Sequence, residues 1–322
     1  MSFKTAAKIA IGLFIFALLV VFIGPERIVT AAAKANPWLL LAGALVTPVT
    51  ISLRLLRWRS LTAVAGKKLP FGKTSSFYMI GMFFGTITPS KLGELVKVHY
   101  LGKQGMTKSE ALSITLCDRF FDVVVTVAFS VMGIMLISGG LSAFAPSAAI
   151  FVALLLLATY AAFNRRIFMF FGRAGMRLLN PLFMALMGKN AGHKELEDFY
   201  GPLDTMKRKP AIIGYVSLLT VLIWITCGIQ MVVLLSAFGP QIGFEFGILA
   251  TCLGALTGLI PVTISGIGVR DATQIAVFAM AGVGSSVSLL SAIFFTLFGM
   301  GLPSIAGGFL YMLSNKREWD SA

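Results

Sequence analysis

Cys117-Asp118-Arg119-Phe120-Phe121-Asp122 sets charged residues inside the apolar stretch Ala111–Ile137. Thr107-Lys-Ser-Glu110 just ahead has capping-box spacing and predicts a helix starting near Lys108. At about 1.5 Å per residue, Arg119 then lies roughly 16 Å along it, about halfway through a ~30 Å hydrocarbon layer. Ionised groups at that depth cost about 2.5–3.5 kcal/mol each, so they face a partner or a wet cavity. Arg119 and Asp122, at i and i+3, share a face and can pair. Such a pair either glues helices together or lines a polar path through the membrane; the second reading is preferred.

Two interrupted apolar segments carry cations of their own. The first, 74–101, contains Thr88-Pro89-Ser90-Lys91-Leu-Gly93-Glu94. Pro89 and Gly93 break a helix and free backbone polar groups, which a membrane tolerates only where they are buried in protein or face water. A helix restarting near Ser90 would aim its positive end, with Lys91, at an anion. Glu94, one turn on, is expected to neutralise Lys91 in the empty state; an ordinary cytoplasmic loop with a solvated Lys/Glu pair is the alternative. The second, 245–283, contains Pro261, Thr263, Ser265, Gly266, Gly268, Arg270 and Asp271. Gly266 and Gly268 permit a tight turn with exposed amides suited to phosphate, and Arg suits bidentate phosphate recognition.

The candidate substrate-binding residues are therefore Lys91, Arg119, Arg270, Ser90, Gly266 and Gly268. Glu94, Asp122 and Asp271 would hold those cations or accept protons, and Pro89, Gly93 and Pro261 mark the breaks. No catalytic set, metal site or cofactor is expected. His99 and His193 have no metal-ligand spacing with each other or with Cys117, Cys227 and Cys252, and no nucleophile motif stands out.

The elements that position these residues read as membrane helices. The chain is 57% hydrophobic and 12% charged, where a soluble domain carries about 25% charged residues. Its mean hydropathy is +0.89. The net charge of +14 sits in loops between apolar spans, which points to topology and anionic lipid rather than nucleic acid. Six segments are long enough to cross: about 6–24, 37–56, 109–137, 146–163, 210–237 and 285–313. Lys4 and Lys8 precede the first, but no small-residue cleavage site follows it, so a retained helix is expected rather than a signal peptide. The fold class is all-α: a single polytopic membrane domain, 1–322, of six full spans plus two broken segments, or eight helices.

Positive charge sets the orientation. Arg54, Arg57, Arg59, Lys67, Lys68 and Lys73 are read as the loop after the second span, with Lys91, Lys97, Lys103 and Lys108 on the same side. Both termini are then cytoplasmic. The 74–101 segment should enter and leave from inside, and 245–283 from outside unless it crosses twice as short helices. Residues 6–137 and 146–313 thus read as two inverted repeats, with 164–209 a cytoplasmic amphipathic insertion in which Lys194–Asp204 is a solvated turn region.

Over nearly its whole length the chain resembles the flippase-like membrane family named after the N-terminal transmembrane part of lysylphosphatidylglycerol synthases. The likeness rests on the order Arg57-Trp58, Thr88 through Glu94, Glu110-Ala-Leu, Arg119-Phe-Phe-Asp122 and Pro261 through Asp271. Ser265-Gly266 stands where a Gly-Gly pair is usual, and Asp271 where Glu is common. The resemblance implies an integral protein of the cytoplasmic membrane that translocates lipids or lipid-linked headgroups. No soluble aminoacyltransferase domain is expected after Leu313, so lysyl transfer is not carried over. The expected partner is an anionic membrane lipid or a polyprenyl-phosphate-linked lipid, with a partner synthase and a homo-oligomer left open. A secondary transporter of a soluble organic anion is the alternative, as is the membrane subunit of a lipid-modifying synthase.

Overall fold

Pro25, Pro37 and Pro210 each open a helix, where a missing N–H costs nothing and the fixed φ is already helical. Asn36 caps the second of these, accepting from the N–H groups of Trp38 at 2.9 Å and Leu39 at 3.3 Å. A computed structural model describes residues 20–88, 91–137, 193–260, 263 and 265–318 of the chain. The first and fourth expected spans lie largely or wholly outside those residues, as do Pro89, Ser90, Pro261 and 164–192 of the insertion.

The described chain is helical: α1 (Pro25–Ala33), α2 (Pro37–Val64), α3 (Phe71–Thr86), a 3-10 turn (Leu92–Leu95), α4 (Val96–Lys103) and α5 (Lys108–Ile137). Then come α6 (His193–Lys207), α7 (Pro210–Ser236), α8 (Phe244–Thr257), α9 (Val269–Met280), α10 (Ser285–Thr296), a π-turn (Leu297–Gly301) and α11 (Leu302–Glu318). Among the described residues, four helices are long and apolar enough to cross a membrane: Pro37–Val64, Lys108–Ile137, Pro210–Ser236 and Ser285–Leu313. This is a polytopic, all-α membrane architecture. The expected capping box is present, with the Thr107 N–H donating to Glu110 Oε2 at 2.9 Å and the Glu110 N–H to Thr107 Oγ1 at 3.2 Å.

Both interrupted segments are helical hairpins. In the first, α3 packs against the 3-10 turn and α4; in the second, α8 packs against α9. With 14 and 12 residues, α8 and α9 reach only about 21 and 18 Å, short of a ~30 Å layer. That length favours re-entry over two full crossings. Glycines let the arms close. A Cβ on Gly93 would overlap the carbonyl of Phe84, and one on Gly266 would stand 2.7 Å from Gly258 Cα. Ser265, Gly266 and Gly268 all have positive φ (54°, 77° and 86°), which folds the second break tightly.

The long helices cross between the halves of the chain. α2 packs on α7, α3 on α11, and α8 on α5, while α1 lies on α10 and α6 on α5.

Two expectations are corrected here. The second span does not end near residue 56: α2 continues to Val64, so Arg54 and Arg57 lie inside a membrane helix rather than in a loop. Lys194–Asp204 is not a turn region but most of α6, whose Tyr200, Leu203 and Met206 are buried against the core. Their i, i+3, i+6 spacing forms the apolar stripe that the surrounding polar residues obscure.

Because Gly93 meets backbone, which cannot yield, Gly93→Ala should cost about 1–3 kcal/mol as overpacking. Gly214→Ala, with nothing within 4 Å of the added Cβ, should not destabilise. Melting of the detergent-solubilised variants checks both.

Candidate functional site: a buried ion network beside three joined cavities

α2 and α5 meet through charge. Arg57, fully buried, donates from Nη1 to Asp122 Oδ1 at 2.6 Å and from Nη2 to Asp122 Oδ2 at 3.1 Å, a bidentate fork. The same Nη2 lies 2.8 Å from Asp118 Oδ1, and Nη1 also donates to Thr220 Oγ1 at 3.1 Å. Trp224 Nε1 adds a donor to Asp122 at 3.2 Å. Asp118 and Asp122 are one turn apart, so a single guanidinium spans both.

Arg119 pairs with Asp122 as expected, at 3.4 Å, but its shorter contact is to Asp118 at 2.8 Å. It also approaches Glu94 to 3.4 Å, which ties α5 to the first break.

Glu94 does not neutralise Lys91. Its Oε2 accepts from Lys97 Nζ at 2.8 Å, and Lys97 is fully buried between the rings of Trp58 and Tyr78, 4.7 and 4.5 Å from their centroids. Glycines make room for this pair: a Cβ on Gly85 would stand 2.7 Å from Glu94 Cγ, and one on Gly81 would meet the Lys97 chain. Lys91 caps the 3-10 turn in a left-handed conformation (φ 57°), its carbonyl accepting the Glu94 N–H at 3.0 Å, while the Glu94 carboxylate is taken by Lys97 and Arg119. The Lys91 side chain has no hydrogen bond or ion pair among the described residues.

The second break carries a smaller cluster. Arg270 Nη2 donates to Thr296 Oγ1 at 2.6 Å and lies 3.4 Å from Asp271 Oδ1; its Nη1 faces Met300 Sδ at 3.3 Å. Thr296 and Met300 flank and belong to the π-turn, an irregularity of the kind often found at functional sites. Asp271 Oδ2 accepts the Gly268 N–H at 2.9 Å and so caps α9. Gly266 lies in the turn, against Gly258. Thr263 Oγ1, Ser265 Oγ, Arg270 Nε and both polar ends of Gln274 are buried without a hydrogen-bond partner among the described residues.

Three adjoining cavities open beside these groups, with volumes of about 720, 380 and 910 Å³ including open space. The first brings the two breaks together: Lys91 lines it with Ser265 and Arg270, among Thr47, Thr50, Gln230 and Thr251. The second is lined by Arg54, Lys91, Glu94, Arg119, Tyr78 and Thr86. In the third, Arg119 and Asp122 face apolar walls that include Leu92, Leu116 and Leu259, which are 61%, 45% and 41% exposed. Around the second and third cavities Arg54, Arg57, Lys91, Lys97 and Arg119 stand against only Glu94, Asp118 and Asp122. Positive charge is in excess.

Of the residues expected from sequence, Lys91, Arg119, Arg270, Glu94 and Asp122 line these cavities, while Asp271, Gly93, Gly266 and Gly268 shape the breaks around them. Pro89, Ser90 and Pro261 lie outside the described residues. Sequence reasoning missed Arg54, Arg57, Lys97, Asp118 and Trp224. The signal for the first two was their i, i+3 spacing on a helix whose apolar pattern continues through Leu55, Trp58 and Leu61.

These features define a polytopic membrane protein with a charged intramembrane crevice. Residues 7–307 match the family model for the lysylphosphatidylglycerol synthase TM region, and the chain belongs to that family. A UPF0104 membrane protein of Methanothermobacter thermautotrophicus is 27% identical over 332 residues, covering 95% of this chain and 96% of that protein. One from Pyrococcus horikoshii is 22% identical over 334 residues, covering 97% and 98%. The glycosyltransferase AglD of Haloferax volcanii is 23% identical over 317 residues, covering 89% of this chain and 50% of that protein.

Removing Arg57 would leave two buried carboxylates short of their cation, so Arg57→Met should destabilise by about 3–5 kcal/mol. Arg208→Met, which breaks an exposed pair with Asp204, should leave melting unchanged. Thermal melts in neutral detergent compare the two.

Proposed function

We propose that this protein translocates an anionic lipid or lipid-linked headgroup across the cytoplasmic membrane through the crevice between its two broken hairpins. The observation that carries the reading is the joining of cationic and apolar space. Excess positive charge lines a cavity whose outer walls, Leu92, Leu116 and Leu259, are the kind of surface that acyl or prenyl tails occupy. A charged headgroup held at Lys91, Arg119 and Arg270 would add an anionic partner to these cations, while the tails stay in hydrocarbon. Glu94, Asp122 and Asp271 keep the cations charged and in place.

Pairing of α3 with α11 and of α8 with α5 supports two inverted halves, 6–137 and 146–313, since each hairpin rests on the last span of the other half. In this reading both termini are cytoplasmic. Arg59, Lys68, Lys73, Lys103 and Lys108 remain exposed and support that orientation after Arg54, Arg57 and Lys97 are removed from the loop count. A second reading, the membrane part of a lipid-modifying synthase, draws support from the match to half of a protein named as a glycosyltransferase. Co-purification with a soluble transferase would favour it.

The test is translocation in proteoliposomes, followed as loss of fluorescence when an impermeant reductant reaches a headgroup-labelled phosphatidylglycerol. Wild type should speed exchange over protein-free vesicles, and Arg119→Gln should slow it at least about tenfold, the worth of one charge-assisted contact. Exchange no faster than in protein-free vesicles, with correctly folded wild type, contradicts translocation of this lipid class.

A further inference from the structure

We infer that Arg54 and Lys91 form a phosphate-binding pair at the junction of the three cavities, taking the phosphate mono- or diester of an amphiphile. This deepens the translocation reading and rests on it for the choice of an amphiphile. Arg54 is a residue that the sequence had placed in a loop.

Arg54 and Lys91 line all three cavities; no other described residue does. An anion bound between them would therefore face the first cavity, where the hydroxyls of Thr47, Thr50, Thr251 and Ser265 stand among apolar side chains, on one side and the leucine-walled third on the other. That is the position of a phosphate joining a polar headgroup to apolar tails.

Both cations are free to accept such a partner. Arg54 comes no closer than 3.9 Å to Asp122, whose oxygens are already taken by Arg57 at 2.6 and 3.1 Å and by Trp224 at 3.2 Å. Its remaining neighbours are weak: Cys227 Sγ at 4.0 Å and the Trp224 ring at 6.0 Å. Arg57, three residues on, makes four contacts of 3.1 Å or less. The two arginines share a helix and differ in role, one locked and one available.

Lys91 is available for a different reason. The carboxylate nearest in sequence, Glu94, is held by Lys97 at 2.8 Å and Arg119 at 3.4 Å. The left-handed backbone at Lys91 is uncommon for a residue with a long side chain, and such outliers cluster at ligand sites. A flexible ammonium and a planar guanidinium together give a point charge and a fork, a combination suited to phosphate oxygens.

Binding to the purified full chain in a neutral maltoside detergent tests the pair, with three probes: farnesyl phosphate, farnesol and inorganic phosphate. Wild type should bind farnesyl phosphate at least about tenfold more tightly than farnesol. Arg54→Gln and Lys91→Gln should each weaken farnesyl phosphate about tenfold and leave farnesol unchanged, so farnesol reports the integrity of the fold. Arg54→Lys should recover part of the loss. Arg59→Gln, exposed on the same helix, should bind as wild type does. Equal binding of farnesyl phosphate and farnesol by wild type overturns the pair, as does unchanged farnesyl phosphate binding in both glutamine variants. Inorganic phosphate bound as tightly as farnesyl phosphate, and lost in both variants, would support the pair and assign it to a soluble anion instead. Farnesyl phosphate binding by a wild type that translocates nothing would support the pair while the transport reading fails.

Discussion

Arg57 is buried without exposed surface between Asp118 and Asp122, and the arrangement of the crevice depends on that contact. A guanidinium withdrawn from water costs several kcal/mol unless carboxylates in good geometry surround it. Two carboxylates one turn apart on α5 meet that need, and meeting it fixes both the rotation and the height of α5 against α2. Asp122 is thereby largely committed to Arg57, while Asp118 is shared between Arg57 and Arg119, each at 2.8 Å. Arg119, reaching the same carboxylates and Glu94 through one nitrogen, is only partly held, and its side chain keeps 27% exposure toward the cavities. With Asp118, Asp122 and Glu94 shared among Arg57, Arg119 and Lys97, Arg54 and Lys91 are the cations to spare.

The hairpins bring the remaining charges to the same place by one device. In each, a glycine on the first arm lies against a long charged side chain of the second: Gly81 against Lys97, Gly85 against Glu94, and Gly254 against Arg270. A side chain at those glycines would push the arms apart and withdraw the charges. The breaks differ in detail. A left-handed lysine turns the first, and the positive φ of Ser265, Gly266 and Gly268 turns the second. Lys91 and Arg270 nevertheless line one cavity, and the π-turn at Leu297–Gly301 supplies the sulfur and the neighbouring hydroxyl that hold Arg270.

Much of this was legible in the sequence for definite reasons. The membrane helices follow from long apolar runs, the start of α5 from the Thr107/Glu110 box, and the breaks from glycine and proline beside a cation. The burial of Arg119 with Asp122 follows from their depth in an apolar run. What was hidden is equally physical. Arg54 and Arg57 lie in the second half of a 28-residue helix, longer than the roughly 20 residues a span needs, so their charges looked like the loop beyond it. Lys97 is masked by aromatic rings that come from α2 and α3, which no local pattern announces. Glu94 was assigned to Lys91 by spacing alone, and Lys97, at the same spacing on its other side, takes its carboxylate at 2.8 Å. Polar neighbours hid the stripe of Tyr200, Leu203 and Met206, whose burial depends on α5 and the core.

In the proposed function, cationic space joined to apolar space selects an anionic amphiphile. Native mass spectrometry of the protein released from its membrane in neutral detergent tests it most directly, because it reads which lipids stay bound. Adducts of anionic lipid are expected on wild type in excess of their share in the membrane, and are expected to be lost when Arg54 and Lys91 are both replaced by glutamine. Adducts that merely mirror membrane composition, unchanged by that double substitution, would contradict it.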